Sequence, residues 1–351
     1  MVANLTVIDK NSLTTGELIG SGSFGHCFIC KVQPSLLPLL IQNKLCEEGS
    51  DTIVMKQCIA LSNKVRASFV EEGRIGDKLR HAFINSNNQM QCPVNLVSVC
   101  NYDNEPAILS RIESQGNCVT YLTKKSIDPN IDAHNMCINI MKDLYNSMEF
   151  LHANNILHLD IALRNFLING DDKAILCDFG NSIEIESGIN FVDVTTKFIP
   201  YLWADTNIIR LGYASRTSDL FSLKITMLEV MATLGGINHM EIFGSDMYNQ
   251  TGYAENVKDN NSINNQLILQ NRFQQLNTLL SQSQNIHAKP ILNLLNDFKT
   301  FLTASFDSSS NEMMTTNKNN FLNACDESIQ NANTATSNNK EIENPRNSFS
   351  I

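Results

Sequence analysis

The chain has 351 residues, a net charge of −10 and 42% hydrophobic residues, enough apolar material for a sizeable core in more than one lobe. The negative balance argues against nucleic acid or an anionic membrane as the main partner. The longest apolar run, Leu36 to Ile41, is short and broken by Pro38, and Met1 to Lys10 holds no secretory apolar stretch, so no membrane span is expected. Ten cysteines are scattered, several in apolar runs (Cys58, Cys100, Cys177), and read as reduced buried thiols. Cys27 and Cys30 form a C-x-x-C with no second pair, which speaks against zinc.

In chain order, the first informative segment is Gly20-Ser21-Gly22-Ser23-Phe24-Gly25. Its glycines let backbone N–H groups approach phosphate oxygens without a Cβ clash. Dinucleotide-binding proteins share this spacing, but there a helix follows at once. Here Cys27 to Val32 reads as a strand. The next strand, Thr52 to Lys56, ends in a lysine, and Phe69 to His81 reads as a helix containing Glu71 and Glu72. Between the two strands lies an insertion, about 33–51, longer than a hairpin needs. Its Leu36, Leu37, Leu39 and Leu40 are expected to dock on the strand-rich lobe in preference to binding a partner. Met141, Leu144, Met148 and Leu151 keep the rhythm of a core-facing helix.

That helix leads to His158-Leu159-Asp160-Ile161-Ala162-Leu163-Arg164-Asn165, then an apolar run, a turn at Asn169-Gly170-Asp171, and Cys177-Asp178-Phe179-Gly180. Two carboxylates and an amide at this spacing suit metal-assisted phosphoryl transfer. Asp160 would accept the acceptor hydroxyl's proton. Asn165 and Asp178 would hold Mg²⁺, with Mn²⁺ as the other hard cation such oxygens accept.

Taken together, from about Leu18 to at least Glu229, the chain resembles the eukaryotic-type protein kinases. The resemblance implies an α+β, bilobal fold with a small antiparallel-sheet N-lobe and a larger, mainly helical C-lobe. It also implies ATP as cofactor, bound by the glycine-rich segment, and Lys56 on the α- and β-phosphates, paired with Glu72 rather than Glu71. Gly116 to Leu122 looks like the segment after many kinase hinges. That register places Ser110 at the gatekeeper and makes Arg111, Ile112 and Glu113 the hinge, with Arg111 and Glu113 at the nucleotide. Asp219, in Thr217 to Leu223, would hold the catalytic-loop backbone. The expected organisation is an N-lobe over 1–110, a C-lobe over 111–305, and a polar extension over 306–351, disordered from 331.

Several positions depart from the family pattern. Leu159 replaces the arginine that receives an activation-loop phosphate, which speaks against that mode of regulation. Ala204-Asp205-Thr206 lacks the glutamate that ion-pairs with a later arginine. Ala162 to Asn165 resembles tyrosine kinases, whereas the ungapped Pro200-Tyr201 register resembles serine/threonine kinases. The simpler register makes serine/threonine the expected acceptor. Asn-rich, Arg-poor composition and the tail, with Glu341, Glu343 and Ser348 to Ile351 as a secretion signal, resemble effector kinases that intracellular bacteria deliver into host cells. A host protein would then be the substrate, and the chain would act in the host cytosol. An ordinary cytoplasmic kinase is the other reading. The functional alternative is a nucleotide-binding pseudokinase or scaffold, motivated by Leu159 and the degraded Ala204-Asp205-Thr206.

Overall fold

The computed structural model describes residues 6–21, 25–59, 62–86, 92–304 and 311–342. Its elements are β1 (Thr6–Ile8), β2 (Leu13–Ser21), β3 (Gly25–Val32), α1 (Leu37–Gln42), β4 (Thr52–Cys58), α2 (Asn63–Asn85), β5 (Val97–Tyr102) and β6 (Glu105–Ser110). There follow β7 (Gly116–Asn117), α3 (Cys118–Lys125), α4 (Ala133–Ala153), β8 (Ile156–Leu157), β9 (Phe166–Ile168), β10 (Ala174–Leu176), β11 (Ile183–Glu184) and β12 (Val192–Asp193). The rest is helical apart from one short strand: α5 (Thr206–Leu211), β13 (Tyr213–Ala214), α6 (Arg216–Leu234), α7 (Gln250–Asp259), α8 (Asn265–Gln282), α9 (Ala288–Asp297), α10 (Lys299–Thr303) and α11 (Asn311–Ile342). This is the α+β architecture of the protein kinases: a small sheet followed by a mainly helical remainder. Met1–Tyr121 with Ile140–Leu223 form one compact unit, and Leu122–Asn139 with Lys224–Ile351 another.

The first unit is built on a six-stranded sheet in the order β1-β5-β6-β4-β3-β2, antiparallel except where β1 joins β5 in parallel. Strand β4 alternates buried Ile53 and Met55 with Val54 and Lys56, so Lys56 faces away from the core those two residues build. The insertion docks as expected. Pro38 lies in the first turn of α1, where a missing N–H costs nothing. Leu40, Leu45 and Cys46 are buried in the sheet core with Ile8, Leu13, Cys30, Ile53 and Met55, and Leu36, Leu37 and Ile41 pack against them, while Leu39 stays exposed.

Helix α2 begins at an N-cap, Ser62, whose hydroxyl accepts from the Val65 N–H at 3.3 Å. Its buried face is Phe69, Glu72, Gly73, Ile75, Gly76, Leu79 and Arg80, a helical stripe holding two polar residues. Glycine is needed where this face meets the sheet. A Cβ on Gly73 would lie 2.6 Å from Val99 Cβ, and one on Gly76 would lie 2.1 Å from Val97 Cγ2. The helix therefore sits closer to β5 than alanine would permit.

Met141, Leu144, Met148 and Leu151 of α4 are all fully buried. Helix α6 is apolar around much of its circumference, with Leu220, Phe221, Leu223, Ile225, Met227, Leu228, Val230 and Met231 inaccessible, as befits a core helix. Among the described residues no single helix is long and apolar enough to cross a membrane.

The second unit differs from the expected loose tail. Residues 311–342 form one helix, so 331–342, expected without regular structure, are helical, and 343–351, including Glu343 and Ser348 to Ile351, lie outside the described residues. Phe321 packs against Phe298 and Phe301 (ring centroids 6.0 and 5.3 Å apart), Cys325 is buried, and Ser328 donates to Asp297 at 2.7 Å beside His134 at 2.9 Å. These three positions, at i, i+4 and i+7, form a narrow docking stripe within an otherwise polar sequence.

Candidate active site

The site lies within the first unit. Lys56 projects from β4 and donates to both carboxylate oxygens of Glu72, at 2.6 and 2.8 Å. Burial works against the lysine's charge, but Glu72 and Asp178 outweigh it and hold its pKa above the ordinary value. Glu71, the alternative partner, faces outward and pairs with Arg74 at 2.7 Å.

Opposite these, the loop 158–165 is suspended from one buried carboxylate. Asp219 accepts from the His158 and Leu159 N–H groups, each at 2.9 Å, and from His152 Nε2 at 2.9 Å. Those bonds hold Leu159 in the left-handed region (φ 64°), a conformation that costs a branched L-residue about 1–2 kcal/mol and needs such support. Asp160 follows, half-buried. Burial pushes its carboxyl above the ordinary value against the pull of Arg164. Arg164 Nη2 donates to Asp160 Oδ1, and its guanidinium lies 4.4 Å from the Trp203 ring centre.

Asn165 donates its amide N–H to the Asp160 carbonyl at 2.8 Å, which orients its oxygen as the remaining donor atom. Asp178 is exposed, also left-handed (φ 64°), and accepts from the Gly180 N–H at 3.2 Å. A Cβ on Gly180 would lie 3.2 Å from Asp178 Oδ1 and 3.6 Å from Glu72 Oε2, so this glycine brings the loop close to the Lys56–Glu72 pair. Phe179 is buried, edge-on to His158 (5.8 Å) and against Gly76. A carboxylate and an amide oxygen are hard donors that fit Mg²⁺, which keeps water and phosphate ligands instead of demanding a protein-only cage. Among the described residues no cluster of three or more His, Cys, Asp or Glu forms such a cage.

The remaining expected residues are placed as follows. Gly20 and Ser21 end β2 and Gly25 opens β3; Gly22, Ser23 and Phe24 lie outside the described residues. Ser21 Oγ is 2.7 Å from His26 Nδ1 across the hairpin. Arg111 and Glu113 follow β6 and pair with each other at 2.9 Å. With Ile112, Ser114, Glu47 and Asp171 they border a polar cavity of about 530 Å³.

Three features were not read from the sequence. Leu159 packs with Leu157, Ile185, Val194 and Ala214, an apolar cluster that includes activation-segment residues. Asp205 is anchored although the family's glutamate is missing: it caps α5 by accepting from Ile208 N at 2.8 Å and takes the Ser218 hydroxyl at 2.9 Å. Burial pushes its pKa up to about 6. Neither the contact of Arg164 with Asp160 nor its stacking on Trp203 had a signal in the sequence, since residues 160–162 are loop and 163–165 a 3-10 turn, where i, i+4 spacing does not bring side chains together.

A sheet lysine ion-paired to a helix glutamate, with Asp160 and Asn165 on one loop and Asp178 on the loop after β10, defines a protein kinase fold. Residues 13–276 match the family described as protein tyrosine and serine/threonine kinase, and the chain belongs to that family. Similar proteins include the tyrosine-protein kinase transforming protein Fps of Fujinami sarcoma virus, 25% identical over 236 residues (67% of this chain, 24% of that protein). Discoidin domain-containing receptor tyrosine kinase B of Caenorhabditis elegans is 25% identical over 229 residues (65% and 25%). Tyrosine-protein kinase Fer of Mus musculus is 24% identical over 226 residues (64% and 24%). The chain thus spans 24–25% of the length of these relatives. Each is named a tyrosine kinase, so the expected serine/threonine acceptor finds no support among them. That expectation rested on an ungapped register at Pro200-Tyr201. In the structure Tyr201–Trp203 form a 3-10 turn that presents Trp203 to Arg164.

Proposed function

We propose that this chain is an ATP-dependent protein kinase that transfers the γ-phosphoryl group of Mg-ATP to a protein tyrosine. The observation that carries the reading is the bidentate Lys56–Glu72 pair formed beside Asp160, Asn165 and Asp178. In this reading Lys56 aligns the α- and β-phosphates, Asn165 and Asp178 hold the metal, and Asp160 takes the acceptor's proton as its oxygen bonds to phosphorus and the ADP oxygen departs. Bound Mg²⁺ would neutralise charge on the phosphoryl oxygens. Arg111 and Glu113 are proposed to border the nucleotide, and the glycine-rich segment to cover its phosphates.

Tyrosine is favoured by residue chemistry as well as by the names of the relatives. Position 162, where serine/threonine kinases commonly carry a lysine, is a buried alanine, and the cation beside Asp160 is Arg164 instead. Peptide arrays offering tyrosine, serine and threonine in matched contexts test this. Phosphate appearing on tyrosine peptides alone is expected, and incorporation into serine with none into tyrosine would refute the acceptor assignment. No turnover on any peptide or in autophosphorylation would instead favour the pseudokinase alternative. A host-cell protein as substrate is a further proposal supported by the effector-like composition. It would fall if lysate of a candidate host gained no phosphotyrosine over an Asp160→Asn control.

Activity is expected not to depend on activation-segment phosphorylation. Thr195 and Thr196 are exposed, and Thr195 bonds to Asp193 at 2.7 Å, while the residue before Asp160 is an apolar, buried leucine that cannot receive a phosphate. Phosphatase treatment, or the Thr195→Ala/Thr196→Ala double variant, should leave the rate within a few-fold of wild type. A loss of about a hundredfold, roughly 2.7 kcal/mol, recovered on rephosphorylation, would show another basic group serving as receiver.

A further inference from the structure

The insertion between β3 and β4 reaches α2 at a point remote from Glu72. Arg80 stands eight residues further along the helix, about 12 Å at 1.5 Å per residue. It is only 3% exposed. Its guanidinium donates to Asp77 Oδ1 at 2.7 Å, to the Val97 carbonyl at 3.2 Å, to Asn43 Oδ1 at 2.8 Å and, at 3.3 Å, to the Asn43 backbone carbonyl. Asn43 caps the end of α1, and its own Nδ2 donates to the Leu39 carbonyl at 2.8 Å, which fixes which atom faces the arginine. Helix α1 is in turn held in the sheet core by Leu40, and the segment after it by Leu45 and Cys46.

Charge balance alone does not require this contact, because Asp77 on the same helix already pairs with Arg80. The Asn43 bond adds a connection between α2 and a segment 37 positions away. The position of α2 matters for the chemistry because Glu72 reaches Lys56 only where the helix lies close to β5, as Gly73 and Gly76 allow. N–H···O bonds usually span up to about 3.2 Å, so an outward shift that lengthened the 2.6 and 2.8 Å contacts past that range would weaken the pair.

We propose that the 33–51 insertion is a built-in strut. Through the Asn43–Arg80 bond it holds α2 where Glu72 meets Lys56, so Asn43 and Arg80 are positioning residues for phosphoryl transfer. The proposal rests on the kinase reading of this site.

The test compares wild type, Asn43→Ala and Asn43→Asp by hydrogen exchange over residues 63–85 and by kcat and KM for ATP. Asn43→Ala removes the shorter of the two bonds from the Arg80 guanidinium, leaving the 3.3 Å bond to the backbone carbonyl; losing a bond to a charged group corresponds to about tenfold or more. Exchange in α2 should quicken and kcat should fall by that factor. Asn43→Asp keeps the acceptor, adds an opposite charge and loses only the donor to Leu39, so it should stay near wild type in both readouts. Arg80→Lys, which loses the planar fork, should behave like Asn43→Ala. Wild-type exchange and kcat in Asn43→Ala would overturn the proposal. So would faster exchange with unchanged kcat, which would make the contact structural only, or Asn43→Asp failing alongside Asn43→Ala. If the wild type itself shows no turnover, the kinase reading fails and the strut is judged on exchange in α2 alone.

Discussion

Replacing Asp160 by asparagine should lower phosphoryl transfer by about 10²–10⁴-fold, roughly 3–5 kcal/mol of barrier. The substitution keeps size and shape but removes the carboxylate that accepts the hydroxyl proton. Because Asp160 is half-buried and bonded to Arg164, the variant's melting temperature belongs beside the rate measurement. A wild-type rate would remove the base from Asp160. The pH profile gives an independent check. A base must be ionised, so activity should be present above the Asp160 pKa and lost as pH falls through it. Burial puts that acid limb above the ordinary aspartate value, while Arg164 pulls the other way. Arg164→Ala should therefore move the limb to still higher pH. A limb that stays put or moves down would detach it from Asp160.

Asp178→Asn is expected to remove metal-dependent nucleotide binding and to lower turnover by at least about 10²–10³-fold, the cost of losing one preorganised electrostatic group. Asparagine is the informative choice. It tolerates the left-handed backbone at this position better than alanine does and can still accept from the Gly180 N–H. What it loses is charge. Calorimetry of ATP with and without Mg²⁺ reads the effect directly: the wild type should gain affinity with the metal and the variant should not. Unchanged Mg-ATP affinity together with unchanged turnover would exclude Asp178 as a metal ligand.

The residues that meet around Lys56 were legible because each sits in a short motif whose spacing restricts its chemistry. Glu72 is preferred over Glu71 because its place three residues after Phe69 resembles the family pattern; in the structure one helical position, 100° of rotation, separates the face turned to β4 from the face that pairs with Arg74. The Asn43–Arg80 bond was not legible. An asparagine in a polar stretch and an arginine on a helix have many potential partners, and only docking of the insertion leucines selects this one. The same limit hid α11. Phe321, Cys325 and Ser328 are too sparse to announce a buried face, and it takes Phe298, Phe301 and Asp297, brought beside them by the fold, to make one.

The sequence by itself determined the order of the glycine-rich segment, Lys56, the helix glutamate, Asp160, Asn165 and Asp178, and with it the family, because those relations are local or set by chain order. Tertiary structure alone decided how the departures from the family pattern are accommodated. Leu159 finds an apolar cluster where an arginine would have needed an anion, and Asp205 finds Ser218 in place of the missing glutamate's bond. A substituted side chain is kept or rejected by what packs against it. Its partners here, Val194 and Ala214 for Leu159 and Ser218 for Asp205, lie 13 to 55 positions away, where neither periodicity nor spacing reaches.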